Sequence, residues 1–351
     1  MTRALDAAGA DGFCVATLDE AIALREAGIE KPILVLFPIP PEVAREARRR
    51  SIAVTASDRR LLDGLLAATG AEPDAPVLEV QLELETGLGR GGFGAGDAWQ
   101  AASDVSSAPG LRLAGAWTHL QAPGDDGRTA AQVAAFERIS GDLAARGIAV
   151  GRRHLAASGS LVLGEAVSLD GVRPGLATYG LVPDELLGRA APNGLRPVLS
   201  LHARPVRVAD LPPGTGISYG PSFTTARPSR IATLPLGYAD GWARALSNRA
   251  EALVRGGRVP LVGNVAMDAV MADVTDVPGE PVGVHDEFVL IGQQGDAVIT
   301  AADVAAARET NSWEVVTTLA ARVPRVYHAA SVPRETRTLV GDEVGRRSAR
   351  A

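Results

Sequence analysis

A single cysteine, Cys14, stands in a chain of 351 residues, which excludes a disulfide framework and a thiolate metal cluster. No cluster of other ligating residues reads as a metal site. No run reads as a signal peptide, and no apolar stretch is long enough to cross a bilayer, so the expected compartment is the cytoplasm. No charge of one sign dominates either. The net charge is -6 with both signs spread along the chain, leaving no cationic footprint for nucleic acid or an anionic membrane. Lysine is the most lopsided shortage: Lys31 is the only one, and the other basic residues are arginines. The longest basic cluster, Arg48-Arg49-Arg50, reads as a solvated helix end.

What is present is enough apolar residue, 46%, to bury a sizeable core, over a length that suggests two domains. The first half alternates apolar runs with amphipathic stretches. Strands are expected near 11–17, Pro32–Phe37, Ile52–Thr55, Val77–Leu84, Leu113–His119, Val150–Ala157 and from Val172. Helices are expected over Leu18–Ala27, Pro41–Arg50, from Ser57 or Asp58 to Thr69, Asp97–Ser106 and Ala130–Arg146. Continuous apolar strands, each followed by a helix, imply a parallel sheet covered by helices. A (β/α)8 barrel fits better than a doubly wound sheet, because no Gly-rich dinucleotide fingerprint follows the first strand. Seven strands are counted where the barrel has eight. Since barrel phosphate sites lie after strands seven and eight, the missing strand would be the first.

From about Asn193 proline and glycine become frequent and short β runs dominate: Ser200–Val208, Ser229–Leu236, Glu251–Val254, Val259–Val262, Ala269–Val274 and Glu287–Ile291. A helix over Ala301–Glu309 follows, then strands near Trp313–Val316 and Val326–His328. The expected division is a barrel domain over 1–193, a β domain over 194–340 and a frayed tail over 341–351.

Polar residues gather at the expected strand ends. Arg173 closes a short apolar strand before Pro174 and Gly175, and an arginine there is costly unless something bearing lone pairs or negative charge meets it. Glu85 to Gly94 is a Gly-rich loop carrying Arg90, a bidentate fork for a carboxylate. His119 and His154 end consecutive strands, which suggests a bonded network with Arg173. Ser158 would sit with Gly175 where such barrels hold phosphate. In the β domain three turns display Tyr219, Tyr238 and Met267; two of the chain's four tyrosines lie in them.

As a set, the motifs ETGLGRGGF, WTHL, HLAASGS, VRPGLATYG, ISYGPSF, LPLGYADG, GNVAMDAVMADV and RVPRVY resemble the alanine racemase family, in its order, from about Asp11 to Tyr327. The resemblance implies a pyridoxal-phosphate-binding (β/α)8 barrel, here missing its first strand, followed by a mainly-β C-terminal domain. It implies racemisation of L- and D-alanine for peptidoglycan, and a head-to-tail homodimer with shared active sites. It gives Arg173 the pyridine nitrogen, and gives Ser158, Gly175 and Leu176 the phosphate. Tyr219, from the partner subunit, becomes the base toward L-alanine. A phenol ionises near pH 10 in water, at about that value, so the network of His119, Arg173 and His154 would assist it. Arg90 and the Met267 backbone N–H take the substrate carboxylate, and Tyr238 lines the entrance.

Three departures stand out. The family's cofactor lysine, which is also the base toward D-alanine, lies on the first barrel strand, and Lys31 sits at the wrong end of a strand to replace it. The expectation is that the natural start lies further upstream. Glu83 occupies a position where many members carry a carbamylated lysine, and is expected to orient Arg90 with its own charge. Ala321 and Ala157 replace a phosphate-binding tyrosine and a frequent asparagine. The alternatives are a racemase of another amino acid, such as serine or lysine, and an inactive racemase-like binding protein.

Overall fold

The computed structural model describes residues 1–70, 76–164, 167–188, 194–329, 331–339 and 341–344. The chain divides into two compact units, Met1–Thr178 with Leu186–Asn193, and Tyr179–Glu185 with Gly194–Ala351. The division is not one cut: the stretch Tyr179–Glu185, expected in the first domain, clusters with the second unit.

In the first unit seven strands follow one another in space as in sequence, each parallel to the next, in a nearly closed barrel. They are β1 (Phe13–Val15), β2 (Ile33–Val35), β3 (Ala53–Ala56), β4 (Leu78–Glu83), β5 (Leu111–Trp117), β6 (Arg152–Ala157) and β7 (Gly171–Arg173). These are the seven strands expected. The helices between them are α2 (Leu18–Glu26), α3 (Ala44–Arg49), α4 (Arg59–Ala68), α5 (Ala98–Ser107), α6 (Asp126–Ala145) and α7 (Ser158–Leu163); α1 (Thr2–Ala7), which was not expected, precedes β1. Local chemistry sets their starts. Thr17 and Glu20 form a reciprocal capping box on α2, and Asp58 accepts from the Leu61 N–H at 2.9 Å to start α4.

Strand β4 shows how the barrel sorts its side chains. Successive residues point to opposite faces. Val80, Leu82 and Leu84 join the apolar core that the helices cover, with Leu62, Leu65, Phe136 and Leu143. Gln81 and Glu83 take the other face and carry polar atoms toward the strand ends.

The second unit is antiparallel. Its eight-stranded sheet comprises β8 (Leu201–Ala203), β9 (Arg207–Leu211), β10 (Ser229–Leu234), β11 (Glu251–Val254), β12 (Gly257–Val262), β13 (Val270–Asp273), β14 (Phe288–Gln294) and β15 (Ala297–Ile299). The run expected over Ser200–Val208 is two strands, β8 on β14 and β9 on β10, broken at Pro205, which has no N–H to give a ladder. Helix α8 (Ala301–Arg308) falls where expected. The stretch Trp313–Val316, expected as a strand, lies in helix α9 (Ser312–Thr317). Asn311 caps it by accepting from the Glu314 N–H at 3.0 Å, and Asp184 takes the Ser312 N–H at 2.6 Å, so capping overrides the β-branched pair Val315-Val316. A three-stranded sheet of β16 (Arg325–Ala329), β17 (Val332–Thr338) and β18 (Gly341–Val344) ends the described chain. The tail expected to fray from 341 therefore begins as a paired strand; residues 345–351 lie outside the described residues. Among the described residues no helix is long and apolar enough to cross a membrane.

Candidate active site

Arg173 ends β7 because Pro174 cannot continue the ladder. Its guanidinium is partly buried and turns across the strand ends. Nη1 donates to His154 Nδ1 at 2.5 Å, and Nη2 donates to the Thr118 carbonyl at 2.8 Å. The Leu155 carbonyl and His119 Nδ1 lie within 3.5 Å of Nη2. The indole of Trp117 lies under the guanidinium carbon, 5.1 Å from the ring centre. Burial pulls Arg173 down to about 10, which still leaves it charged at neutral pH. The Arg173 Nε–H has no partner among the described residues.

The two histidines are neutral. Burial, then Arg173, then Arg90 push His119 down to about 4. Burial, then Arg173 and Arg152, push His154 down to about 3, with Asp170 opposing. The expected network of His119, Arg173 and His154 is thus present, with the histidines as acceptors toward an arginine. A second layer holds the His119 strand end. Gln132 Nε2 donates to the His119 carbonyl at 3.1 Å and to Thr86 Oγ1 at 3.3 Å, and the Thr86 and Thr118 hydroxyls are 2.8 Å apart.

Arg90 has a different kind of partner. Its Nη2 donates to Glu83 Oε1 at 3.2 Å, and its guanidinium lies 5.4 Å from the centre of the Phe37 ring. Burial pushes the Glu83 carboxyl up, and Arg90 pulls it back. The Gly-rich loop is shaped by Glu85, whose carboxylate accepts from the Gly89 N–H at 2.9 Å and from the Gly87 N–H.

At the next strand end Ser158 Oγ accepts from the Gly175 N–H at 3.0 Å and the Ala177 N–H at 3.1 Å. The Gly175 amide, expected to face an anion, is therefore engaged by Ser158. The Leu176 N–H and the Ser158 hydroxyl hydrogen are the donors left, and a side chain at Gly175 would meet nothing within 4 Å. The cradle is open.

In the second unit the three turns expected separately come together. Ser218 Oγ donates to the Asn264 carbonyl at 2.6 Å, and Asn264 Nδ2 donates to the carbonyls of Tyr219 and Gly220, both at 2.9 Å. The Tyr238 and Ala239 N–H groups donate to the carbonyls of Ala266 and Met267, both at 3.0 Å. Gly237 makes this approach possible, since a Cβ there would lie 2.3 Å from both of those oxygens. Buried Asp240 accepts from the Gly237 N–H at 2.8 Å and from Arg322 Nε at 2.6 Å, and Arg322 Nη2 reaches Asp268 at 2.5 Å. Tyr219 itself is 79% exposed.

Sequence reasoning missed Gln81, Phe37, Asn264, Asp240 and Arg322. Asp240, Arg322 and Asn264 lay inside quoted motifs, LPLGYADG, RVPRVY and GNVAMDAVMADV; charge was the available signal for the first two, and Asn264 carried none.

A parallel barrel whose strand ends converge on one arginine, followed by an antiparallel β unit, is the arrangement of the fold-type-III enzymes. The alanine racemase N-terminal domain matches residues 1–183, and the alanine racemase C-terminal domain matches residues 198–327. The chain is 38% identical to alanine racemase 2 of Caldanaerobacter subterraneus subsp. tengcongensis over 331 residues, which is 93% of this chain and 84% of that protein. It superposes on the Bacillus anthracis alanine racemase with bound L-Ala-P at a TM-score of 0.89 and 33% identity, over 97% of this chain and 86% of that one. A histidine racemase from Leuconostoc mesenteroides subsp. sake follows at 0.82 and 30%, over 92% and 85%. The chain belongs to the alanine racemase family.

The neutral histidines carry a stability consequence. An unfolded histidine titrates near pH 6.5, above the native values of His119 and His154, so on acidification the unfolded state takes up protons first. Their contribution is complete above about pH 6.5 and is lost as the pH falls toward the native values, by at most about 1.4 kcal/mol per pH unit for each histidine. Urea unfolding between about pH 8 and about pH 5 should show this fall, and His119→Asn should make it shallower. A fall that His119→Asn leaves equally steep would mean that His119 is protonated in the folded protein.

Proposed function

We propose that the protein is an alanine racemase that binds pyridoxal phosphate at the barrel strand ends. The observation that carries this reading is Arg173: a fixed charge, held by neutral acceptors, with its Nε–H left for a ligand. That donor suits the lone pair of a pyridine nitrogen. The Ser158 hydroxyl and the Leu176 N–H suit a phosphate, and the open space at Gly175 admits one. The residues present fit the group on these two sides. The covalent side is different: Lys31 precedes β2, at the opposite end of the barrel, where its carbonyl accepts from Arg25 Nη1 at 2.7 Å. When bound, the cofactor withdraws electron density from the α-carbon of the amino acid.

The chain's own residues do the rest. Arg90, steadied by Glu83 and Phe37, receives the substrate carboxylate. Tyr219 of the partner subunit removes the α-proton on one face, in a head-to-tail dimer where Met267 of the partner subunit adds its backbone N–H to the carboxylate. Arg173, unable to give up its proton, keeps the ring nitrogen unprotonated and so moderates the electron withdrawal. Supply of D-alanine to peptidoglycan in the cytoplasm is the role that fits this activity. No residue of this chain is assigned to the opposite face.

Three outcomes are expected. In heavy water with pyridoxal phosphate, L-alanine should exchange its α-proton faster than D-alanine accumulates, and Tyr219→Phe should slow the exchange by about 100-fold or more. Exchange with serine, lysine or histidine but not alanine would change the substrate, and no exchange despite bound cofactor would make the chain a binding protein. Glu83→Gln should lower kcat for alanine by about threefold to tenfold with KM unchanged or lower, and unchanged kinetics would remove Glu83 from the site. Mixing inactive Tyr219→Phe and Arg173→Ala subunits should restore activity in about a quarter of the sites if the sites are shared, and in none if each subunit is self-contained.

A further inference from the structure

Arginine can only donate hydrogen bonds, so the ring nitrogen that faces it must carry a lone pair. Arg173 Nη1 lies 2.5 Å from His154 Nδ1, which is therefore bare. The neutral ring then carries its proton on Nε2, and Nε2 lies 2.6 Å from Gln81 Oε1. We infer that Gln81 is a positioning residue, which accepts the Nε2 proton of this tautomer and so fixes the orientation of His154 and through it the aim of the Arg173 guanidinium. The assignment of Arg173 to a cofactor nitrogen rests on the function proposed above; the tautomer does not.

The surroundings of Gln81 are built for this contact. Gln81 and His154 are both buried, on β4 and β6, and the strand between them offers a glycine. Gly115 is the register partner of both Gln81 and Arg152. A Cβ on Gly115 would fall 2.5 Å from the Arg152 carbonyl oxygen and 3.0 Å from Cδ and Oε1 of Gln81, so the glycine that the backbone requires also leaves room for the carboxamide. The His154 ring is fixed from its flat side as well. It lies parallel to the Trp117 indole within 7°, at 6.5 Å. Trp117 is itself tied down, with Nε1 donating to Thr55 Oγ1 at 3.3 Å and that hydroxyl donating to the Val35 carbonyl at 2.8 Å.

A carboxamide suits the position better than a carboxylate. A glutamate here would favour the imidazolium, whose Nδ1–H would then point at a guanidinium that can only donate. Donor would face donor and charge would face charge. The neutral carbonyl supplies the acceptor without raising the basicity of the ring. The other charges acting on His154 divide: Arg173 and Arg152 oppose its protonation and Asp170 favours it.

The test is nitrogen NMR of the histidine rings in the full chain. In the wild type the His154 signals should show a protonated Nε2 and a bare Nδ1, with no titration between about pH 5 and about pH 8. Gln81→Glu, close to isosteric, should bring the His154 titration up into that window. Gln81→Leu should leave Nε2–H without an acceptor, so that its ring proton exchanges faster and its nitrogen signals shift as the ring loses its fixed orientation. A wild-type ring protonated on Nδ1 would overturn the inference, as would His154 signals unchanged in both variants. Failure of alanine to exchange its α-proton would count against the proposed function and not against the tautomer.

Discussion

The barrel's strand ends are organised by a charge that cannot be removed. A lysine or histidine placed where Arg173 sits could shed its proton to relieve burial; a guanidinium keeps it even when burial pulls it down to about 10. Everything touching Arg173 must therefore accept. The contacts are the carbonyls of Thr118 and Leu155, bare ring nitrogens on His154 and His119, and the electron-rich face of Trp117. That requirement propagates backward through the sheet. It sets the tautomer of His154, and the tautomer sets the need for the Gln81 carbonyl. One charge on β7 thus constrains residues on β6 and β4.

The two site arginines are treated in opposite ways, and the difference bears on what each can bind. Arg173 is surrounded by neutral acceptors and keeps its full positive charge beside any ligand. Arg90 is paired with a carboxylate that is 6% exposed, and a ligand carboxylate arriving at Arg90 meets the Glu83 charge as well. Glu83 therefore weakens the attraction of Arg90 for anions while it fixes the direction of the fork. Orientation is what a substrate held for proton transfer requires, because a misplaced α-carbon loses more rate than a weaker grip does. Phe37 acts in the same sense from the flat side of the guanidinium.

How much of this was legible in the sequence depended on the range of the signal. Apolar runs followed by amphipathic stretches are local, and they placed all seven barrel strands. Arg173 was legible because a charge at the end of an apolar run before Pro-Gly needs an explanation. Gln81 had no such signature: a neutral amide inside Leu78–Glu83 becomes meaningful only beside His154, 73 positions away. Phe37 was hidden for the same reason, since an aromatic at a strand end looks like core until Arg90 is placed over it. Trp313–Val316 failed in the other direction. Its bulky and β-branched residues suggested a strand, and the helix is decided by Asn311 and by Asp184, 128 positions upstream of Ser312. The turns bearing Tyr219, Tyr238 and Met267 were each visible from glycine and tyrosine, but their meeting depends on Asn264, whose amide ties two of them together.

That meeting leaves Tyr219 in an unusual position. Its backbone is tightly held through Asn264 and Ser218, while its side chain is 79% exposed. A tyrosine that merely filled a surface would not need its turn fixed from both sides. A phenol in open water makes a poor base at neutral pH, because a free phenol ionises only at about pH 10. Holding the backbone still while leaving the ring uncovered makes sense if a second surface supplies the cover and the positive charge. In the dimer proposed above, Arg173 of the other copy, with its charge retained, would be the source of that charge. The turn is held within one copy by Ser218 and Asn264, and the proposed dimer would use that fixed turn to present the uncovered ring to a second surface.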